Sequence, residues 1–299
     1  MSAQFTGCVV VGFDGSSSGA QAARWAAAEA NARGRELVFV HALMPPVTTG
    51  GLGVGLPPSL DVIEAMEQQA REELDVAAAE SGAARARAEV LIGAPSSVLL
   101  AASESADLVV VGSRGRGGFT GLLLGSVGTQ VAAHAECPTI VVRDLPAPGS
   151  RGIVVGIDGS PAASSALEFA FQAASHAGAT LVAVHAWDVP SYDLIVVPDG
   201  PVPLPLADVA DDEVRLAAET LAGFREDYPD VEVVERLVRA PAVQALLDAS
   251  ADAQLLVVGT HGRSPVLGTL LGSVSNGVLH KAHIPVAVVP PAPDIPSAA

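Results

Sequence analysis

The stretch LVVVGSRGRGGFTGLLLGSVGTQVAAHAECPTIVV, Leu108–Val142, decides the fold, because it recurs as LLVVGTHGRSPVLGTLLGSVSNGVLHKAHIPVAVV, Leu255–Val289. Each copy opens with an unbroken apolar run and then reads Gly, two residues, Gly, nine residues, Gly-Ser. The motif falls at Gly112, Gly115 and Gly125-Ser126 in the first copy, and at Gly259, Gly262 and Gly272-Ser273 in the second. A segment with helical spacing follows each. A glycine-rich turn from a buried strand into a helix suits an anion. Small residues let the backbone come close, and the free N–H groups of the helix start point at the ligand. Two such turns at matching places predict phosphate binding, and with it a nucleotide.

Outward from this stretch the repeat continues. CVVVGFDGSSSGAQAARWAAAEA from Cys8 matches IVVGIDGSPAASSALEFAFQAA from Ile153, and LVFVHALMP from Leu37 matches LVAVHAWDVP from Leu181. GAPSSVLLAAS from Gly93 matches RAPAVQALLDAS from Arg239. The chain is one unit written twice. Residues 1–143 are expected to form one domain, 144–151 a Pro/Gly linker, 152–290 the second domain, and 291–299 a disordered, proline-rich tail.

Within each half, short apolar runs alternate with alanine-rich segments of helical period. In the first, strands are expected near Val9–Phe13, Leu37–Ala42, Ala86–Ile92, Leu108–Gly112 and Thr139–Val142. Helices are expected near Ser17–Arg33, Asp61–Ser81, Pro95–Ser103 and Ser126–Ala135. Strands apolar on both faces and separated by helices predict an α/β fold: a doubly wound parallel sheet of five strands per half, order 3-2-1-4-5, with helices on both faces. A long irregular stretch follows the second strand of each half, Met44–Ser59 and Trp187–Leu206, the length of a lid, a partner surface or a surface insertion.

Composition narrows the partners. The 299 residues carry 33 acidic against 16 Lys and Arg side chains, a net charge of -17, and Lys281 is the only lysine. Such a surface repels nucleic acid and anionic lipid, so a phosphate ligand must be held by local geometry. Cys8 and Cys137 are expected to be buried and reduced. The opening MSAQFTG has no export pattern, and no apolar run is long enough to span a bilayer, which predicts a cytoplasmic protein.

In a doubly wound sheet ligands bind where the strand order reverses, here between strands 1 and 4. Strand 1 of the first half ends in Gly12-Phe13-Asp14-Gly15-Ser16, and strand 4 ends in the glycine motif, so the two signals meet at one crevice. Asp14 and Asp158 have two readings: a carboxylate that takes hydrogen bonds from a ribose or adenine or helps hold a divalent ion, or an Asx turn and helix cap. Ser126 and Ser273 read as helix N-caps or as hydroxyl donors to phosphate. Arg114, Arg116, His261 and Arg263 read as phosphate partners or as solvated loop cations. His41 and His185 read as structural histidines ahead of general bases. The loop is neither the P-loop pattern nor a dinucleotide fingerprint, and no catalytic constellation is evident.

Two copies of G-x2-G-x9-G-S behind a VVG strand, in domains opening VVVGFDGS and IVVGIDGS, resemble the tandem universal stress proteins over roughly Gly7–Val142 and Gly152–Val289. The lysine-poor composition is similar to that of actinobacterial, mycobacterial-type members. The resemblance implies Rossmann-like domains that bind ATP, with Mg held mainly by its phosphates. Carried onto this chain, Gly112, Gly115, Gly125 and Ser126 hold phosphate in the first half, with Ser113, Arg114, Arg116, Gly117, Gly118 and Val127 beside them. Gly259, Gly262, Gly272 and Ser273 do so in the second, with Thr260, His261, Arg263 and Val274. Asp14 and Asp158 face the adenosine, Gly12 and Gly156 allow close backbone approach, and Ala42 and Ala186 meet adenine through backbone groups. Asp188 is a further candidate. Fifth strands pair across the domain interface in this family, which implies pairing of the two halves here and leaves a homodimer open.

The halves differ where Gly117-Gly118 becomes Ser264-Pro265, and where Gly93 becomes Arg239, changes that bear on affinity at the second site. The leading expectation is a non-enzymatic, ATP-binding regulator. A slow ATPase or adenylyl-transferring enzyme using the same pocket is the alternative, and an interaction protein without nucleotide is the third.

Overall fold

Valine-rich runs too apolar for a solvated edge become the inner strands of the structure. The computed structural model describes residues 2–45, 48–49, 55–56, 59–116, 124–187, 194–197, 200–203, 206–262 and 271–292. The first half contains β1 (Cys8–Gly12), α1 (Ser17–Ala32), β2 (Glu36–Leu43), β3 (Thr48–Thr49), β4 (Gly55–Leu56), α2 (Leu60–Glu80) and β5 (Ala86–Ile92). It continues with α3 (Pro95–Ser103), β6 (Leu108–Gly112), α4 (Ser126–His134) and β7 (Thr139–Val142). The second half contains β8 (Gly152–Gly156), α5 (Pro161–Ala177), β9 (Thr180–Trp187), β10 (Leu194–Val197), β11 (Gly200–Pro203), α6 (Leu206–Asp227) and β12 (Val233–Arg239). It ends with α7 (Ala242–Ala249), β13 (Ala253–Gly259), α8 (Ser273–Lys281) and β14 (Val286–Val289).

Two compact units result. One comprises Met1–Leu145 with His283–Val288, the other Pro146–Ala282 with Val289–Ala299. In the first unit the parallel strands run β5-β2-β1-β6-β7, the expected 3-2-1-4-5 order. Val286, Ala287 and Val288 of β14 add an antiparallel strand beside β7, with Val286 opposite Val141 and Val288 opposite Thr139. In the second unit β12-β9-β8-β13 repeat the order 3-2-1-4 in parallel. Inner strands β1 and β6 are buried along their valines, as both-sided covering by helices requires.

Alanine makes α1 a good helix former and a thin one. Its buried stripe, Ala22, Ala23, Ala26, Ala27 and Ala30, lets it lie close on β1 and β6. Its counterpart α5 buries larger groups, and Phe171 stacks on Phe224 and Tyr228 of the α6 segment at ring distances of 5.5 and 5.4 Å. The two long stretches after the second strands are not wholly irregular: β3 pairs antiparallel with β4, and β10 with β11. Cys8 and Cys137 are free and buried, and burial pushes the Cys137 thiol up to about 12, which makes it inert. Among the described residues no helix is long and apolar enough to cross a membrane.

Candidate functional site

Each site begins with an Asp-Gly-Ser turn at the end of the first strand. Asp14 Oδ1 accepts the Ser16 N–H at 2.9 Å, closing an Asx turn that Gly15 completes at a φ of +74°. Ser16 then caps α1, its Oγ accepting the Gly19 N–H at 3.0 Å. The second half builds the same turn. Asp158 Oδ1 accepts from Ser160 at 2.9 Å, Gly159 sits at +75°, and Ser160 Oγ accepts from Ala163 at 3.2 Å. Asp14 also reaches across the crevice, where Oδ2 accepts the Arg116 N–H at 2.8 Å. This carboxylate ties the first turn to the glycine loop, a role that neither reading of the sequence contained.

Burial raises the Asp14 pKa, but hydrogen bonds from Ser16 and Arg116 outweigh it and hold the carboxyl below its ordinary value. A depressed folded pKa stabilises fully above the unfolded value of about 3.9, and that stability is lost as pH falls through the folded value. Urea denaturation of the wild type and Asp14→Asn should therefore show a stability gap that is full near pH 6 and narrows below about pH 4. A gap unchanged at about pH 3 would count against this role for the carboxylate.

Four of the motif glycines, Gly112, Gly115, Gly259 and Gly262, are needed for space. None of Gly112, Gly115, Gly125, Gly259, Gly262 or Gly272 has a positive φ. A Cβ on Gly115 would stand 2.7 Å from Asp14 Oδ2, and one on Gly262 2.6 Å from Asp158 Oδ2. On Gly112 it would meet the Ser18 carbonyl at 2.8 Å, and on Gly259 that of Ala162, also at 2.8 Å. Gly12 and Gly156 make room for Leu99 and Leu246, whose methyls would lie 2.9 and 3.3 Å from an added Cβ. Much of the pattern thus records packing of the protein against itself.

Among the described residues the starts of α4 and α8 have no side-chain cap. Gly125 is the N-cap of α4 and Gly272 that of α8, neither with a side-chain cap bond. Ser126 and Ser273 are the first helical residues, so the N-cap reading is corrected: Gly125 and Gly272 hold that position, one residue earlier. Gly125 donates to the Ser113 carbonyl at 2.7 Å and Gly272 to that of Thr260 at 2.8 Å.

A cavity of about 350 Å³ collects Gly12, Asp14, Ala42, Gly112, Ser113, Arg114, Gly115, Arg116, Gly125, Ser126 and Val127. A second, of about 420 Å³, collects Gly156, Asp158, Ala186, His261, Gly262, Gly272, Ser273 and Val274, while Gly259 and Thr260 do not line it. Gly117, Gly118, Asp188 and Arg263 lie outside the described residues. His41 and His185 line the cavities while each Nδ1 pairs at 2.9 Å with a carbonyl, of Phe13 and Ile157, joining the ends of the first two strands of each half. That is the structural role expected of them.

Sequence reading missed the apolar walls, Val40 and Leu99 in one cavity and Val184, Trp187 and Leu246 in the other. Their signal was present as matched apolar positions of the repeat. The match of Gly93 with Arg239 is also corrected. Leu43 pairs with Ile92 and Trp187 with Arg239, so strand register makes Ile92 the counterpart of Arg239. Matching by residue type had slipped one place.

The universal stress protein family model matches residues 8–143 and again 149–290. A universal stress protein of Mycolicibacterium smegmatis is 38% identical over 294 residues, 95% of this chain and 97% of the relative. One from Mycobacterium tuberculosis is 38% identical over 289 residues, covering 94% and 96%. Among solved structures, a universal stress protein from Archaeoglobus fulgidus superposes with a TM-score of 0.68 at 22% identity, over 97% of this chain and 98% of that one. A functionally unknown protein from Pseudomonas aeruginosa gives 0.58 at 15% identity, over 97% and 94%. At these identities the two structures speak to the fold alone.

Proposed function

This chain belongs to the universal stress protein family, and from that premise we propose that each half binds one ATP, the whole acting as a nucleotide-dependent regulator in stress response or growth control. The observation that carries the reading is the pair of helix starts, α4 and α8, that have no side-chain cap among the described residues and each line a cavity of small-ligand size. A phosphate there accepts N–H groups that have no partner within the helix and gains from the helix dipole. The hydroxyls of Ser126 and Ser273 stand at the same place, and Arg114 and Arg116 add charge to the first loop. The apolar walls suit a base, with Ala42 and Ala186 beside it.

Among the described residues no group of three or more His, Cys, Asp or Glu side chains is placed to hold a metal ion. A Mg ion bound with ATP would be held by the nucleotide's phosphates more than by side chains of these loops, and would supply charge neutralisation there. Asp14 engages both oxygens with backbone N–H groups and His41 engages Nδ1 with a carbonyl, which favours holding ATP over hydrolysing it.

Purified protein, denatured and analysed by chromatography and mass spectrometry, should release ATP at one molecule per half, with negligible turnover before denaturation. Ser126→Ala and Ser273→Ala should leave stability within about 0.5 kcal/mol, since no cap is lost, yet weaken ATP about tenfold at the altered site. Steady hydrolysis abolished by Asp14→Ala would instead favour the ATPase alternative. No released nucleotide and no measurable ATP affinity would sink both.

A further inference from the structure

The two cavities differ at the wall where the second strand of each half ends. β2 closes on Leu43, buried and paired with Ile92. β9 closes on Trp187, paired with Arg239, and the half-buried indole lines the second cavity beside His185 and Ala186. The guanidinium of Arg239 lies over the indole, 5.7 Å from its ring centroid. A cation over an aromatic face is held by the ring's quadrupole, and the contact limits how far the indole can tilt. The ring is thereby set in place before any ligand arrives, which lowers the ordering cost of using it. The opposite requirement, an anion, is met by the α8 start, which lines the same cavity through Gly272, Ser273 and Val274.

We infer that Trp187 is a base-stacking platform peculiar to the second site, so that this half selects ligands joining a planar aromatic base to phosphate. Arg239 is the residue that positions the platform. The inference rests on the nucleotide reading of the second cavity and goes beyond it. The first site has no indole: its aromatic lining residue is Phe13, beside the first turn, where the second site has Ile157, and it carries the loop arginines Arg114 and Arg116. The second exchanges Arg114 for His261 and gains the indole. Stacking tolerates any base because every base has a π-face, so the platform distinguishes nucleotides from bare polyphosphates rather than one purine from another.

The test uses the full chain carrying Trp25→Phe, which leaves Trp187 as the only tryptophan, and Gly115→Val to obstruct the first cavity. ATP should quench Trp187 emission to saturation, and inorganic tripolyphosphate, which has no base, should not. By calorimetry Trp187→Leu, the first-half residue, should weaken ATP about tenfold and change tripolyphosphate less than about twofold. Trp187→Phe keeps an aromatic face and should recover most of the loss. Unchanged ATP affinity in Trp187→Leu, or an equal loss for ATP and tripolyphosphate, overturns the platform while nucleotide binding stands. If Trp187→Leu does not fold, the quenching experiment and Trp187→Phe decide alone, and saturable ATP binding without quenching overturns it. Absence of ATP binding to the unaltered chain overturns the nucleotide reading and the platform with it.

Discussion

Gly112→Ala and Gly259→Ala are expected each to lower the free energy of unfolding by about 3 kcal/mol, the upper part of the range for an overpacked site. An added methyl on Gly112 would stand 2.8 Å from both the carbonyl carbon and oxygen of Ser18, and on Gly259 at the same 2.8 Å from those of Ala162. Those atoms are backbone in the first turn of α1 and α5, so no side chain can rotate away. The helices cannot easily retreat, because their buried faces are already packed on the sheet. Nor is backbone conformation the issue, since neither glycine has a positive φ. Urea denaturation with an unchanged slope should register the loss. Gly223→Ala is the control: nothing lies within 4 Å of its added Cβ, and in a helix interior alanine should stabilise by about 1 kcal/mol. A loss below about 1 kcal/mol at Gly112 would mean that the helix and strand are less tightly fitted than the structure shows.

The second large effect falls on binding. Gly115→Ala and Gly262→Ala are each expected to weaken ATP by tenfold to about a hundredfold in their own half, with little change in the other. The new Cβ would lie 2.7 Å from Asp14 Oδ2, or 2.6 Å from Asp158 Oδ2. Asp14 cannot yield without giving up its bonds to Ser16 and Arg116, and a bond to a charged acceptor is worth about 1.5–3 kcal/mol. The glycine loop would then lose its tie to the first strand. Isothermal titration should show one class of sites removed by each substitution. Loss of both classes from one change would show the halves to be energetically coupled, and loss of neither would show that the loop does not depend on the aspartate.

The strand order of the first unit and the convergence of two loops on one crevice were readable because both rest on local pattern. A run such as LVVVG has no exposed face to offer, and Asp-Gly-Ser has few ways to turn. The walls were less readable. Leu99 and Leu246 reach the cavities from helices that are remote in sequence, and Trp187 faces its cavity by where β9 ends. Ser126 looked like a cap because serine commonly is one, whereas the backbone makes Gly125 the N-cap and Ser126 the first helical residue. The pairing of Arg239 with Trp187 came from register, which residue-type matching cannot see.

The duplication, the alternation of buried strands with alanine-rich helices, and the two glycine motifs with their aspartates were determined by the sequence alone, since each depends on periodicity or short-range turn chemistry. What those glycines make room for was decided only by the tertiary structure. Gly115 and Gly262 clear an aspartate, and Gly112 and Gly259 clear the first turn of a helix. The structure also made glycines the N-caps of α4 and α8 and set an indole in one cavity alone. The physical reason is distance along the chain: a glycine shows that something comes close, and only the fold brings up the atom that does.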